Sequence, residues 1–220
     1  MAGYNKGDSY EEIIFSLLKT RGLIVPDSNR GGAGNAPDIV FLHNLQANNL
    51  EVKLDLKADY GQKMLRWSNN IWSWCKEDDL MFSLYEEIGI LDIIKRKEII
   101  PNRYSIHQEE LTVEHKKQDQ KRFADTLEIG LHALYGFYES RNCYYIQVGG
   151  YGFYHLKEDI LSLGTQQFDC KMQLRLRAKT IHSNPVYKYG FYAVLKVKGK
   201  PQKSLFDIEE KGGRVFPPLI

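Results

Sequence analysis

Asp38 follows a proline, and thirteen residues later Glu51 and Lys53 stand two apart within "LEVKLDLK", a run that alternates apolar with charged residues. Two carboxylates and an ammonium group within reach of one another are what magnesium-assisted hydrolysis of a phosphodiester requires. The carboxylates supply oxygen ligands while leaving most of the ion's coordination shell to water and substrate, and the cation stands where charge develops in the transition state. The triplet (Asp or Glu)-x-Lys decides little alone, because it occurs six times: Glu51/Lys53, Asp55/Lys57, Glu114/Lys116, Asp119/Lys121, Asp169/Lys171 and Glu209/Lys211. Setting separates them. If Asp38 ends one strand and Glu51 and Lys53 share a face of its neighbour, the three groups lie within a few ångströms, since paired strands run about 4.8 Å apart. Asp55 and Lys57 fall on that same face and stay open as a rival pair.

The elements that must position these residues are partly readable. Ser9 is placed to cap a helix over "YEEIIFSLLKTR", with Tyr10, Ile14, Leu17 and Leu18 on one face and Gly22 as the stop. Then come a short strand at "LIV", a glycine-rich turn at "PDSNRGGAGN", a strand at "PDIVFLH" and a loop at "NLQANN". In the next strand Leu50, Val52, Leu54 and Leu56 face one way, and Glu51, Lys53, Asp55 and Lys57 the other. Residues 64–97 read as mostly helical, "PNRYSIHQEE" as a loop, and residues 118–141 as one helix with Phe123, Leu127, Leu131, Leu134 and Tyr138 along its apolar stripe. The last third has β character: "CYYIQVGG", "YGFYHL", "KMQLRLRAKTI" and "YGFYAVLKVKG", the last two linked through "HSNPVY". The tail after Pro201 reads as extended.

A chain of 220 residues, 43% hydrophobic, can bury a core as one domain. The opening "MAGYNKGDSYEE" lacks a secretory pattern and no apolar run reaches the ~18 residues of a membrane span, so the expectation is a soluble, cytoplasmic protein without a membrane partner. Cys75, Cys143 and Cys170 lack the spacing of a zinc or redox pair and are expected as free thiols, and the six histidines show no metal-ligand spacing. Net charge is only +2, yet from Lys171 to Phe206 there are nine basic residues and no acidic one. Lys171, Arg175, Arg177 and Lys179 share one strand face, and Lys196 and Lys198 fall on the following strand. That one-sided segment points to a phosphate-facing surface. Within "NRGGAGN", Arg30 is a candidate DNA contact, and the glycines read better as a turn than as a phosphate cradle. Trp67, Trp72 and Trp74 read as core residues rather than as platforms for unpaired bases.

The "PD" of Pro37 and Asp38, the "EVK" of Glu51 to Lys53 and the preceding "GDSYEEIIFSLLKTRGLIV" together resemble the PD-(D/E)XK nuclease superfamily. The opening helix is similar to that of archaeal Holliday junction resolvases, and the likeness covers residues 7 to 60. It implies a restriction endonuclease-like α/β fold with an αβββαβ core. That core would comprise the first helix, strands near 23, 38 and 51, the helix near 120–140 and the strand at 144–148. In this arrangement the single nuclease domain spans 1–220, with core segments at about 7–61 and 118–150. A mostly helical insertion would occupy about 62–117, and a basic antiparallel β elaboration about 150–205. Aligned on the paired leucines, Glu11 rather than Glu12 takes the place of the family's helix glutamate.

The resemblance also implies roles. Asp38 and Glu51 would ligate Mg2+, with Mn2+ as a substitute, the carbonyl of Val52 as a further ligand, and Glu11 on the ion's water shell or a second ion. Lys53 would orient water and stabilise the phosphorane charge. DNA contacts are expected from Arg30, Lys57, Gln62, Lys171, Arg175, Arg177, Lys179, Lys196 and Lys198. The expected activity is that of a DNA endonuclease of restriction, phage or mobile-element type acting on duplex as a homodimer, with no nucleotide cofactor. A Holliday junction resolvase and a non-catalytic DNA-binding module with the same fold are the alternatives.

Overall fold

The computed structural model describes residues 6–26, 30–31, 37–79, 81–101, 112–124, 126–182 and 188–219. Most of the glycine loop weighed as a phosphate cradle, most of "PNRYSIHQEE" and most of the "HSNPVY" link lie outside the described residues. The rest is mixed α/β, with two sheets and five helices among the described residues. The chain divides into two compact units. Residues 1–58, 131–170 and 199–220 form the first, and residues 59–130 and 171–198 the second.

The first unit opens with α1 (Lys6–Thr20), which buries Tyr10, Ile14 and Leu18 at four-residue spacing. It starts one turn before the expected cap, so Ser9 lies inside the helix. Gly22 ends it at φ 70°, a left-handed conformation that costs glycine little, while the Leu23 N–H bonds back to the Leu18 carbonyl at 2.9 Å. The expected strand at "LIV" shrinks to an isolated bridge between Ile24 and Phe41. Next come β1 (Ile39–His43) and β2 (Gln46–Lys53), antiparallel and joined by Asn44 and Leu45, both at positive φ. This two-residue turn, in place of the longer expected loop, fixes the register with Ile39 opposite Leu50.

After the second unit's first segment, the chain returns through α5 (His132–Glu139), β6 (Cys143–Val148), which is parallel to β2, and β7 (Gly152–His155), which is antiparallel to β6. Strand order is β1-β2-β6-β7. Ile14, Leu18, Ile39, Phe41, Leu50, Val52, Tyr145 and Phe153 form the core, and Ile208 and Leu219 of the tail join it. The tail is therefore an integral part of the first unit. Asp207, fully buried, accepts hydrogen bonds from Gln147, from the Glu209 and Lys211 backbone and from Arg214, so its charge is compensated.

The second unit is an antiparallel sheet ordered β4-β3-β9-β8-β5. It contains β3 (Gly61–Ser68), β4 (Ile71–Trp74), α2 (Met81–Ile88), α3 (Ile90–Arg96), α4 (Val113–Arg122), β5 (Thr126–Ile129), β8 (Lys171–His182) and β9 (Lys188–Lys198).

Two expectations fail here. Residues 61–74 are a hairpin rather than helix, because Asn69 and Asn70 adopt positive φ (51° and 60°) as a two-residue turn and Trp67 then pairs with Trp72. The helix expected over 118–141 is instead α4, β5 and α5, since Thr126–Ile129 pairs with β8, Leu127 opposite Leu174. The supposed insertion and the basic β segment thus build one sheet. Trp72 and Trp74 are buried in it, as core residues. No helix among the described residues is long and apolar enough to cross a membrane.

Candidate active site

The turn that sets the β1–β2 register also assembles the charged groups. With Ile39 opposite Leu50, Asp38 comes level with Glu51 at the end of β1. Leu50 and Val52 point into the core, while Glu51 and Lys53 project together from the other face of β2. The Val52 N–H donates to Oδ2 of Asp38 at 2.8 Å. Lys53 Nζ forms an ion pair with Oε1 of Glu51, and the buried hydroxyl of Tyr138 on α5 donates to that same oxygen at 2.9 Å. Among the described residues the hydrogen bonds and ion pair given to these carboxylates fall on Oδ2 of Asp38 and Oε1 of Glu51.

Electrostatics describe a site with too much negative charge for its burial. The Asp38 carboxyl is pushed up to about 7, first by burial and then by the charge of Glu51, with Lys53 pulling the other way. Burial works against the Lys53 ammonium, but Glu51, Asp38 and Glu11 outweigh it and hold its affinity for a proton above the ordinary lysine value. Lys53 is therefore a cation here and not a base. Glu11 of α1 is also raised by burial, opposed by Lys53 and Arg30. The helix thus brings a third carboxylate to the same electrostatic neighbourhood.

Arg30 is held against α1. It donates to the Asp8 carbonyl at 2.9 Å and pairs with Glu11 at 3.4 Å and Glu12 at 2.8 Å. The guanidinium expected to contact DNA is engaged here with protein carboxylates. At the end of β2 the Gly149 N–H donates to the Lys53 carbonyl at 2.9 Å, and a Cβ on Gly149 would stand 2.0 Å from the Leu54 carbonyl oxygen. Only glycine allows this approach.

The rival pair is not on the strand. β2 ends at Lys53, and Asp55 turns back to accept from the Lys57 N–H at 2.6 Å, so Asp55 and Lys57 belong to a turn after the strand. Tyr138 is the site residue that the sequence did not single out. It read as the last member of an apolar stripe, and its position past a broken helix gave no sign of the polar contact.

The remaining expected DNA contacts lie in the second unit. Gln62 is exposed on β3. Along β8, Met172, Leu174, Leu176 and Ala178 are buried and the cations alternate with them, as their spacing requires. Several are already paired: Arg177 and Lys196 with Asp59 at 3.2 and 2.9 Å, Lys171 and Lys198 with Glu128 at 3.0 and 3.2 Å. Lysine 171 first, then lysine 198, hold the Glu128 carboxyl below its ordinary range. Arg175, between the paired Lys171 and Arg177, and Lys179, beyond Arg177, are exposed.

Comparison with known proteins finds no match to this chain among family models, curated proteins or solved structures. The geometry alone must carry the functional argument. Among the described residues no group of three or more His, Cys, Asp or Glu is disposed to hold a metal by itself. The carboxylates that the strands bring together are the Asp38–Glu51 pair, and two carboxylates alone would leave most of a hard cation's shell to water and substrate.

Proposed function

We propose that the chain is a magnesium-dependent DNA endonuclease of the PD-(D/E)XK type, with manganese as a substitute ion, acting on duplex DNA as a homodimer. The observation that carries this reading is the convergence of Asp38, Glu51 and Lys53 on adjacent strands, with the described hydrogen bonds to each carboxylate falling on one of its oxygens. The order of α1, the β1–β2 hairpin, α5 and the parallel strand β6 supports a restriction endonuclease-like core, although its first expected strand is only a bridge.

The residues fit a divalent ion on physical grounds. Burial and the neighbouring Glu51 charge raise the proton affinity of Asp38, and a hard cation beside the two carboxylates would relieve that repulsion. Asp38 and Glu51 would hold it, assisted by the Val52 carbonyl, with Glu11 reaching its water shell. Bound there, magnesium supplies the Lewis acidity that makes water nucleophilic near neutral pH.

The protein's own share is electrostatic. Lys53, kept protonated by its three acidic neighbours, places a fixed positive charge where the phosphoryl group gathers negative charge, and orients the attacking water by hydrogen bonding. No protein nucleophile forms a covalent intermediate. The cationic face of β8 and β9 binds the phosphate backbone without reading its sequence.

The test is incubation of linear duplex, circular duplex and four-way junction with and without Mg2+, using the wild type, Glu51→Ala and Lys53→Ala. The account expects duplex cutting by the wild type alone and only with the ion. Cutting of junctions with duplexes spared would make the chain a resolvase. Salt-sensitive binding without cutting of any substrate would leave a DNA-binding module.

A further inference from the structure

We propose that Tyr138 is a positioning residue for Glu51, fixing which carboxylate oxygen is presented to a divalent cation. This rests on the metal-dependent reading of the site and adds a residue that neither the triplet nor the helix glutamate implies. The hydroxyl of Tyr138 and the ammonium of Lys53 converge on one oxygen, Oε1, and neither of them engages Oε2. A glutamate's terminal torsion is broad and nearly two-fold, so a carboxylate held at neither oxygen samples both orientations. Two donors on Oε1 remove that freedom before any ligand arrives.

Tyr138 is suited to this task. The residue is 2% exposed and its ring packs edge-on against Phe137 with centroids 5.4 Å apart, which fixes where the hydroxyl points. A phenol is an ordinary hydrogen-bond donor at neutral pH. Partners that orient ligating carboxylates typically change metal affinity by about ten- to a hundred-fold when removed. A core tyrosine that merely satisfied its hydroxyl would change folding stability and leave metal affinity alone. Tyr135, three residues earlier in α5, provides that comparison, since its hydroxyl donates to the Phe168 carbonyl at 2.6 Å and makes no contact with Glu51.

The experiment compares the full-length wild type, Tyr138→Phe and Tyr135→Phe. It measures Mn2+ binding by calorimetry in the cold, well below each variant's melting temperature, and steady-state cleavage of duplex DNA. The expected result is Mn2+ affinity about ten-fold weaker in Tyr138→Phe, a lower kcat at unchanged KM for DNA, and no change in either for Tyr135→Phe. Wild-type Mn2+ affinity in Tyr138→Phe overturns the proposal while leaving the nuclease reading intact. A wild type that binds Mn2+ nowhere and cuts no DNA removes both.

Discussion

At the scale of the residue, the site gathers acidic side chains around one cation, Lys53. Asp38 binds its proton more tightly in the folded chain than in the unfolded one, where a carboxyl titrates near ~3.9. Its stabilising share is therefore complete below the unfolded value and is lost as pH rises through about 7. Asp38→Asn keeps an oxygen for the Val52 N–H and removes the charge. Thermal melts should show the metal-free variant more stable than the wild type at pH 8, on the order of 2 kcal/mol or ~4–8 °C, with the gain fading toward pH 4. A variant less stable than the wild type at both pH values would contradict the charge argument. Lys53→Ala should abolish cleavage while Lys57→Ala changes it less than about three-fold, because only Lys53 shares the strand face with Glu51. Steady-state rates of the two variants check this directly. The carboxylates and Lys53 were legible from residue type and spacing; Tyr138 was not, since a hydroxyl at the end of an apolar stripe looks the same whether it meets a carboxylate or water.

At the scale of the element, a two-residue turn holds the register on which the site depends. Leu45 occupies it at φ 63° with 95% of its surface exposed, a conformation that glycine adopts without the crowding a Cβ brings. Leu45→Gly should raise stability by about 0.5–1 kcal/mol in chemical denaturation and leave cleavage unchanged. A loss of stability would mean that the side chain contributes something its exposure does not reveal. Such turns also explain what the sequence concealed. "SNNI" around Asn69 and Asn70 is a hairpin signal when asparagine is read as tolerant of positive φ, but the mix of aromatic and charged residues that follows reads as helix and hides it. The alternation through Lys57 promised a longer strand than β2, because period two persists through Asp55 while the Asp55 side chain folds the backbone away. Thr126–Ile129 gave no local sign of being a strand, since its pairing with β8 is a tertiary choice across more than forty residues. Strands whose partner lies next in sequence, β1 with β2 and β8 with β9, were legible in outline.

At the scale of the whole molecule, the candidate site and the cationic strands belong to different compact units. The carboxylates lie in the first, and the β8–β9 cations in the second. DNA affinity and turnover should therefore separate under mutation. Arg175→Ala with Lys179→Ala should weaken duplex binding by about three- to ten-fold and flatten the dependence of log affinity on log salt by up to about 2, with kcat at saturating DNA unchanged. Fluorescence anisotropy across a salt series measures this, and an unaltered slope would place the DNA elsewhere.

The central claim is that Asp38, Glu51 and Lys53 hydrolyse DNA with a divalent ion, and its most direct test is cleavage of a supercoiled plasmid by the wild type and Glu51→Gln. The account predicts nicked and linear product from the wild type in Mg2+, none once the ion is chelated, and a loss of at least about a hundred-fold in Glu51→Gln, whose amide cannot replace the ligating charge. Equal cutting by both proteins, or cutting that persists in chelator, would contradict it.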